Sequence, residues 1–191
     1  LDYLLHHLPN VPSKIVYCSS ISVYGIDSSL PYRSGNGVLM DENFKVDPIR
    51  TYSLSKVFGE RLVTEWCNEH GVKCQIVRIG TVYDYSGQQN NFLGYLINAI
   101  NKNQTFNVSA PLGQLWNFVY IKDICRWLFN AIRIAETPGI INLTSSENHT
   151  TEDIISIIKE NYEEFKYSIP ESTAFRGVDK GFCSIKRETH L

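Results

Sequence analysis

The chain has 191 residues, of which 43% are apolar and 20% charged, with 18 basic and 20 acidic side chains and a formal net charge of −2. This length suffices for one buried core, and the balanced charge excludes an electrostatic nucleic-acid binder or a polybasic membrane-surface protein as the default class. No apolar run reaches the roughly 18 residues that a membrane span needs. The sequence therefore predicts a soluble, cytoplasmic protein without a nucleic-acid or membrane partner.

Predicted helices alternate with short apolar strands. In chain order they are a helix over 1–8, a strand over 15–18, a helix over 52–70, a strand over 75–79, a helix over 92–101, a strand over 105–108, an extended segment over 117–121, a helix over 123–135, a strand over 140–143 and a helix over 151–161. Such alternation is typical of a parallel α/β sheet. In these sheets ligands lie beyond the carboxyl ends of the strands, so we expect the loops 19–25 and 80–89 and the segment after Leu143 to hold the site.

The cysteines and histidines do not indicate a metal site. Cys18, Cys67, Cys74, Cys125 and Cys183 are odd in number and never spaced as Cys-x-x-Cys. This spacing is not typical of a disulfide framework or a zinc site. We therefore expect reduced thiols and no bound metal.

Tyr52 and Lys56 lie four residues apart at the start of the long helix, so their side chains share one face. A phenol is a poor general base at pH 7, but a cation within about 4–6 Å favours its phenolate form. The pair is common by chance and gains weight from its surroundings. The strand before it ends at Ser19 and Ser20, and the strand after it ends at Gly80. Three chemically useful elements should thus meet at one edge of the sheet.

The opposite side of this helix carries an apolar stripe of Leu54, Phe58 and Leu62. We expect the stripe to be buried. It could also pair with its own copy across a two-fold axis, which would give a homodimer through the helix 52–70.

Several runs of the sequence resemble the extended short-chain dehydrogenases/reductases, the NAD(P)-dependent epimerase/dehydratase group. They are KIVYCSSISVYG (14–25), DEN (41–43), PIRTYSLSKVFGERLV (48–63), VRIGTVYDYSG (77–87), NFVYIKDICRWLFNAI (117–132), GIINLTSSENHTTEDI (139–154) and CSIKRETHL (183–191). The combination of a Ser-Ser-x-x-Val-Tyr-Gly strand end with Tyr-x-x-x-Lys on the next helix is the most specific part of this resemblance.

The resemblance implies a Rossmann-type parallel-sheet α/β fold that binds NAD or NADP and a small-molecule substrate, with nucleotide sugars among the candidates. Residues 1–85 would form the C-terminal half of the cofactor-binding domain with its catalytic residues. Residues 86–191 would form a small substrate-binding region, interleaved with the last Rossmann elements at about 116–145. Hydride would pass between the nicotinamide and a substrate carbon.

Individual roles follow from the resemblance. Tyr52 would be the catalytic acid/base, Lys56 would support it and bind the nicotinamide ribose, and Ser20 would hold the reacting oxygen. The expected cofactor-binding residues are Tyr52, Lys56, Ile79, Gly80, Thr81 and Val82. The expected substrate-binding residues are Ser20, Ser22, Tyr24, Asn91 and Trp116. A simple role at a helix N-terminus is an equally good interpretation of Asn91.

The chain also departs from the family pattern. It has no Gly-x-x-Gly-x-x-Gly turn, which would place the cofactor pyrophosphate on a helix N-terminus. We therefore expect a Rossmann fold that lacks its first half, from a longer enzyme, with weak cofactor binding on its own.

Two further departures concern the substrate. Trp116-Asn117 stands where nucleotide-sugar enzymes usually have Arg-Asp, and Trp cannot clamp a diphosphate as Arg does. Tyr83-Asp84-Tyr85 replaces the usual Tyr-Gly-Pro and adds a carboxylate near the mouth of the cleft. These changes leave two alternatives open, a reductase of carrier-bound thioesters or ketones and a non-catalytic sensor or remnant on the same fold.

Overall fold

A computed structural model of the chain describes residues 1–25, 41–134 and 139–170. Its helices are α1 (Asp2–His6), α2 (Thr51–His70), α3 (Phe92–Asn101), α4 (Ile121–Arg133) and α5 (Thr151–Asn161). Its strands are β1 (Lys14–Ser20), β2 (Lys73–Ile79), β3 (Thr81–Tyr83), β4 (Phe106–Asn107), β5 (Leu115–Trp116), β6 (Phe118–Tyr120), β7 (Ile140–Leu143), β8 (His149–Thr150) and β9 (Tyr167–Ser168). The tail segment 183–191, with Cys183, lies outside the described residues.

The main sheet has three strands in the order β1-β2-β7, and all of them run parallel. Ser20 lies opposite Ile79, and Ile79 lies opposite Leu143. The carboxyl ends of all three strands therefore meet at one edge. This arrangement confirms the predicted parallel α/β sheet of Rossmann type.

Helix α2 covers one face of this sheet. It ends at Gly71, whose φ of 65° lies in the left-handed region that glycine adopts without steric cost. Its buried residues are Ser53, Gly59, Glu60, Val63, Trp66 and Cys67. Leu5 of α1 and Val72 complete a small apolar core beneath the C-terminal half of the helix.

The apolar stripe of α2 is exposed, so the expectation that it is buried was wrong within this subunit. Leu54 is 52% exposed and Phe58 is 64% exposed, while Leu62 is half-buried. The sheet contacts the face with Gly59 and Glu60 instead. A glycine lets the strand approach closely there, and the carboxylate finds hydrogen-bonding partners inside the protein.

The loop predicted over 80–89 contains a strand. β3 pairs in parallel with β6, so that Thr81 lies opposite Phe118 and Tyr83 opposite Tyr120. Helix α4 begins two residues earlier than predicted, directly after β6. Strands of three residues leave too little pattern in the sequence to be recognised before their partners are known.

The segment after β3 forms a second apolar core between α3 and α5. Its buried residues are Phe92, Leu96, Ala99, Phe106, Val108, Ile154 and Ile155. Two pairs of two-residue strands, β4 with β9 and β5 with β8, border this core. The predicted domain boundary after residue 85 stays a prediction. No helix in the described part of the chain is both long and apolar enough to cross a bilayer.

Candidate functional site

Lys56 and Tyr52 lie together at the carboxyl edge of the sheet. The Lys56 ammonium donates a hydrogen bond to the carbonyl oxygen of Cys18 at 3.0 Å, two residues before the end of β1. The same Nζ lies 5.6 Å from the centre of the Tyr52 ring and 5.6 Å from that of Tyr17. Tyr52 is 58% exposed. The cation is therefore fixed beside an accessible phenol, as the shared helix face predicts.

Ser20 ends β1 at the same edge and begins a 3-10 turn over Ile21–Tyr24. Its hydroxyl oxygen accepts a hydrogen bond from the backbone N–H of Ser22 at 3.2 Å. This bond uses an oxygen lone pair and leaves the hydroxyl hydrogen free to donate. The three expected catalytic residues, Ser20, Tyr52 and Lys56, are thus carried to one edge by β1 and α2.

Tyr24 faces the interior rather than the open edge. It is 5% exposed, and its hydroxyl donates to Oδ1 of Asn142 at 2.7 Å while accepting from Nη1 of Arg78 at 2.8 Å. The guanidinium of Arg78 also lies over its ring, 4.9 Å from the centre. Tyr24 therefore bonds inside the protein in this structure, and its expected contact with a substrate stays a prediction.

Behind the edge lies a buried polar network that was not predicted from the sequence. Glu60 accepts hydrogen bonds from Nε and Nη2 of Arg78 at 3.0 and 2.8 Å, and from the hydroxyl of Ser19 at 2.5 Å. Burial alone would lower the pKa of Arg78, but its bonds to Glu60 and Tyr24 outweigh this and raise it. Glu60 lies one helical turn after Lys56, so its spacing alone places it on the same face of α2. That shared face was the signal in the sequence that could have indicated Glu60.

The expected cofactor loop leaves the middle strand of the sheet at the edge that carries the expected catalytic residues. Gly80 follows Ile79 at the end of β2, and its N–H donates to the carbonyl oxygen of Leu143 at 2.9 Å. Thr81 and Val82 continue into β3, and all four residues from 79 to 82 are partly exposed. The short bend between β2 and β3 thus exposes backbone groups at the carboxyl edge of the main sheet.

Asn91 caps helix α3. Its Oδ1 accepts from the backbone N–H of Gly94 at 2.9 Å, and its Nδ2 donates to the carbonyl oxygen of Val82 at 2.8 Å. The interpretation of Asn91 as a helix N-terminal residue therefore describes what the side chain does in the structure. The second bond ties the start of α3 to the cofactor loop.

Trp116 lines a cavity of about 450 Å³ next to α3. Its Nε1 donates to Oγ1 of Thr151 at 2.9 Å, and its ring stacks on Phe92 and Phe118 with centroids 4.9 and 5.6 Å apart. Asn91 lines the same cavity. Two of the five expected substrate residues therefore meet there. The lining residues, all uncharged, are Asn91, Phe92, Tyr95, Phe106, Asn107, Ser109, Ala110, Pro111, Gln114 and Trp116.

Asn117 and Asp84, two positions that depart from the family pattern, have local roles in the structure. The side-chain amide of Asn117 donates to the carbonyl oxygens of Ser145 and Glu147 and so holds the loop after β7. Asp84 is partly exposed, and bonds from Ser86 and Gln89 lower the pKa of its carboxyl group. Neither side chain faces the cavity beside Trp116.

Two buried hydroxyls near the edge have no hydrogen-bond partner among the described residues. One belongs to Ser22, an expected substrate residue, and the other to Thr144, directly after β7. A buried hydroxyl without a partner costs about 1–3 kcal/mol, so a bound group that satisfied either one would gain affinity. Thr144 was not among the expected site residues, because its sequence neighbourhood marks it only as loop.

The residues present fit one part of a nicotinamide dinucleotide. Tyr52, Lys56 and the exposed backbone at 79–82 can meet a ribose and a flat ring, whereas the chain has no glycine-rich turn for the pyrophosphate. In the described ranges there is also no group of three or more His, Cys, Asp or Glu side chains that could hold a metal ion.

Known proteins resemble this chain over most of its length. The NAD dependent epimerase/dehydratase family matches residues 2–144. A Methanocaldococcus jannaschii protein named "Putative UDP-glucose 4-epimerase" is 28% identical over 151 residues, 76% of this chain and 46% of its own. An NADPH-dependent methylglyoxal reductase of Saccharomyces cerevisiae is 23% identical over 68% of this chain and 40% of its own.

Among solved structures, a Bacillus cereus UDP-glucuronic acid 4-epimerase, in complex with UDP-glucuronic acid and NAD, superposes with a TM-score of 0.75 at 21% identity. The superposition covers 96% of this chain and 57% of the crystallised chain. The fold is therefore shared, and the chain spans about half the length of the proteins that it matches.

Proposed function

Since the chain belongs to the NAD-dependent epimerase/dehydratase family, we propose that it carries the acid/base residues of an NAD(P)-dependent oxidoreductase acting on a hydroxyl or carbonyl group. The observation that carries this proposal is the fixed Lys56 ammonium, bonded to Cys18 of β1 and lying beside the accessible ring of Tyr52. The pair alone is common by chance, but the bond to Cys18 fixes its cation at the edge of the sheet where Ser20 ends β1.

In this mechanism the Tyr52 hydroxyl exchanges a proton with the substrate oxygen. Lys56 favours the anionic form of the phenol by its charge, and its bond to Cys18 keeps the ammonium in place when the phenol is neutral. Ser20 donates its free hydroxyl hydrogen to the same substrate oxygen and so orients it. When bound, NAD or NADP accepts or supplies the hydride.

Cofactor binding is shared between two parts of the proposed enzyme. Tyr52, Lys56 and residues 79–82 would hold the nicotinamide ribose and ring, and the orphaned hydroxyl of Ser22 offers one more polar contact to a bound group. The pyrophosphate needs a glycine-rich turn outside these 191 residues. We therefore expect full affinity for NAD or NADP only in a protein that also contains such a turn.

A nucleotide sugar is the first candidate substrate. Relatives named as UDP-sugar epimerases support it, and a cavity of about 450 Å³ lies next to the cofactor loop. Asn91 connects the two by lining the cavity and bonding Val82. A substrate could therefore reach from the cavity to the edge of the sheet.

A second candidate is a carbonyl reductase of uncharged ketones or thioesters. The cavity lining contains no cation among the described residues, and Trp116 presents an aromatic ring where a diphosphate would need a guanidinium. The relative named as an NADPH-dependent methylglyoxal reductase fits this alternative. The two candidates differ in whether a diphosphate on the substrate raises or lowers affinity.

The test replaces Tyr52 by Phe in the full protein. Turnover of UDP-sugars is measured by chromatography of the products, because an epimerase returns its hydride and leaves no net change in the cofactor, whereas reduction of acyl thioesters is followed by NAD(P)H oxidation at 340 nm. UDP-sugars and acyl thioesters are offered as substrates in parallel. We expect the variant to lose at least about 100-fold in turnover while it still binds the cofactor, because acid/base catalysis contributes at least that factor. Tyr162→Phe, at an exposed tyrosine beyond α5, is the matched control. Turnover retained by Tyr52→Phe would refute the mechanism, and cofactor binding without turnover in the unaltered protein would favour the non-catalytic alternative.

We also propose that the exposed stripe of α2 joins two copies of the protein. Leu54 and Phe58 form an apolar pair on the surface of one helix, and a two-fold axis would bury both copies at once. Light scattering on a size-exclusion column should show a dimer that Phe58→Glu dissociates. A monomer in the unaltered protein would contradict this proposal. The cytoplasmic location expected from the sequence stays a prediction.

A further inference from the structure

Lys56 has a second aromatic neighbour besides Tyr52. Its Nζ lies over the ring of Tyr17, 5.6 Å from the centre, and at the same distance from the centre of the Tyr52 ring. A ring within about 6 Å attracts an ammonium group through the negative potential of its face. The carbonyl oxygen of Cys18 accepts a hydrogen bond from the same Nζ. Two adjacent residues of β1 therefore contact the cation, one through a ring and one through the backbone.

The packing of α2 on β1 fixes the position of the Tyr17 ring. Because side chains alternate along a strand, Ile15 and Tyr17 share one face of β1, and both pack on the apolar core that contains Val63 of α2. A side chain at Gly59 would overlap the hydroxyl and the ring of Tyr17. The glycine, three residues after Lys56 on the helix, thus leaves room for the ring beside the cation.

The two tyrosines beside the cation differ in exposure. Tyr52 is 58% exposed, whereas Tyr17 is partly buried. Burial raises the pKa of the Tyr17 phenol, and the negative charge of Glu60 adds to the rise. Tyr17 therefore presents an uncharged ring to Lys56, and the accessible hydroxyl of Tyr52 is the one that a substrate can reach.

We propose that Tyr17 is a positioning residue of the catalytic edge, whose ring holds the Lys56 ammonium beside Tyr52. This inference rests on the proposed function, in which the charge of Lys56 supports proton exchange at Tyr52. Lysine has a long, flexible side chain, so without the ring the bond to Cys18 would restrain only its tip. The titratable and charged side chains around the cation are, among the described residues, Tyr17 and Cys18 of β1 and Tyr52 and Glu60 of α2, with Arg78 of β2 bonded to Glu60.

The first experiment measures turnover against pH in the full protein and in two variants of Tyr17. Tyr17→Leu removes the ring, so the charge of Lys56 acts less on the phenol of Tyr52. We expect the acid-side midpoint of substrate oxidation, or the alkaline-side midpoint of substrate reduction, to rise by about half a pH unit, while KM stays unchanged. Tyr17→Phe keeps the ring and should have the profile of the unaltered protein.

Ile15→Ala is the matched control for a loss of packing. Ile15 packs on the same core from the same face of β1, but it lies two residues further from the carboxyl edge of the sheet. The variant should lower the unfolding midpoint in urea and leave the pH profile of turnover unchanged. If it moves the profile as far as Tyr17→Leu does, loosened packing explains both shifts and the positioning role of Tyr17 is wrong.

The second experiment measures the position of the cation without turnover. Acetic anhydride labels lysine amines, and mass spectrometry compares the labelling rate of Lys56 with that of the exposed Lys102. The ring favours the unreactive ammonium form, so Tyr17→Leu should speed the labelling of Lys56 about two- to five-fold, and Tyr17→Phe should not.

The labelling result stands even in a protein without oxidoreductase turnover, so it separates a failure of the proposed function from a failure of the role of Tyr17. That role is overturned if Tyr17→Leu leaves the labelling of Lys56 or the pH midpoint unchanged. It is also overturned if Tyr17→Phe changes them as much as Tyr17→Leu does, because the ring would then not be the group that holds the cation.

Discussion

At the carboxyl edge of the main sheet, the buried contacts are charged and directional: Glu60 receives two parallel bonds from Arg78 and one from Ser19. Around the cavity the contacts are aromatic, with Trp116 stacked on Phe92 and Phe118. A forked ion pair holds its partners at defined angles, whereas stacked rings fix a distance and a plane but tolerate sliding. The polar network at the sheet edge can therefore hold catalytic groups at fixed positions. The aromatic cavity instead forms a pocket whose specificity can change with single side chains.

Arg78→Met should give the largest loss of stability. It leaves the buried Glu60 carboxylate without its cation, which costs about 3–5 kcal/mol in the free energy of unfolding, measured in urea. Arg126→Met is the control, because it breaks the exposed pair with Asp123 and should change stability by less than about 1 kcal/mol. Equal effects of the two variants would show that the polar network does not hold the sheet edge together.

Trp116→Ala should cost slightly less, about 3 kcal/mol, because it removes a large ring from an apolar core. Trp116→Phe keeps the stack on Phe92 and loses only the hydrogen bond to Thr151, which should cost about 1 kcal/mol. Thermal unfolding followed by circular dichroism measures both variants. If Phe is as damaging as Ala, the hydrogen bond rather than the stacking holds this region.

Gly59→Ala tests how closely α2 must approach β1. A methyl group at this position would overlap the hydroxyl of Tyr17, and such overpacking costs about 1–3 kcal/mol. At Gly139 an added methyl group meets no atom of the described residues within contact distance, so Gly139→Ala is the matched control and should be close to neutral. A neutral Gly59→Ala would mean that the helix can move away without loss.

Thr150→Ala should have the smallest effect, about 1 kcal/mol, because Thr150 caps α5 through the N–H of Asp153. Bonds from the Thr150 side chain and backbone lower the pKa of Asp153 from its ordinary value of 3.8. The carboxylate thus contributes stability above that value, and the contribution is lost as the pH falls through the lowered pKa. The variant should therefore show a shallower loss of stability in acid, measured by urea unfolding from neutral pH to below pH 3.8; an unchanged acid slope would contradict this role.

Much of the site could be predicted from the sequence because its geometry is local. Tyr52 and Lys56 share a face through the helical repeat alone, and Ser20 is placed by the end of an apolar strand. Glu60 lay on the same face and could have been predicted as well. Its importance became visible only through Arg78, which is 18 positions away on strand β2.

The sequence by itself determined the α/β class, the parallel sheet and the helix that carries the tyrosine and lysine, because hydrophobic periodicity reports on each segment separately. Only the tertiary structure decided which segments meet. It buried Tyr24, exposed Leu54 and Phe58, and brought Phe106 and Trp116, each from a strand of two residues, to one cavity beside α3. These features depend on contacts between distant parts of the chain, and such contacts leave no repeat in the order of the residues.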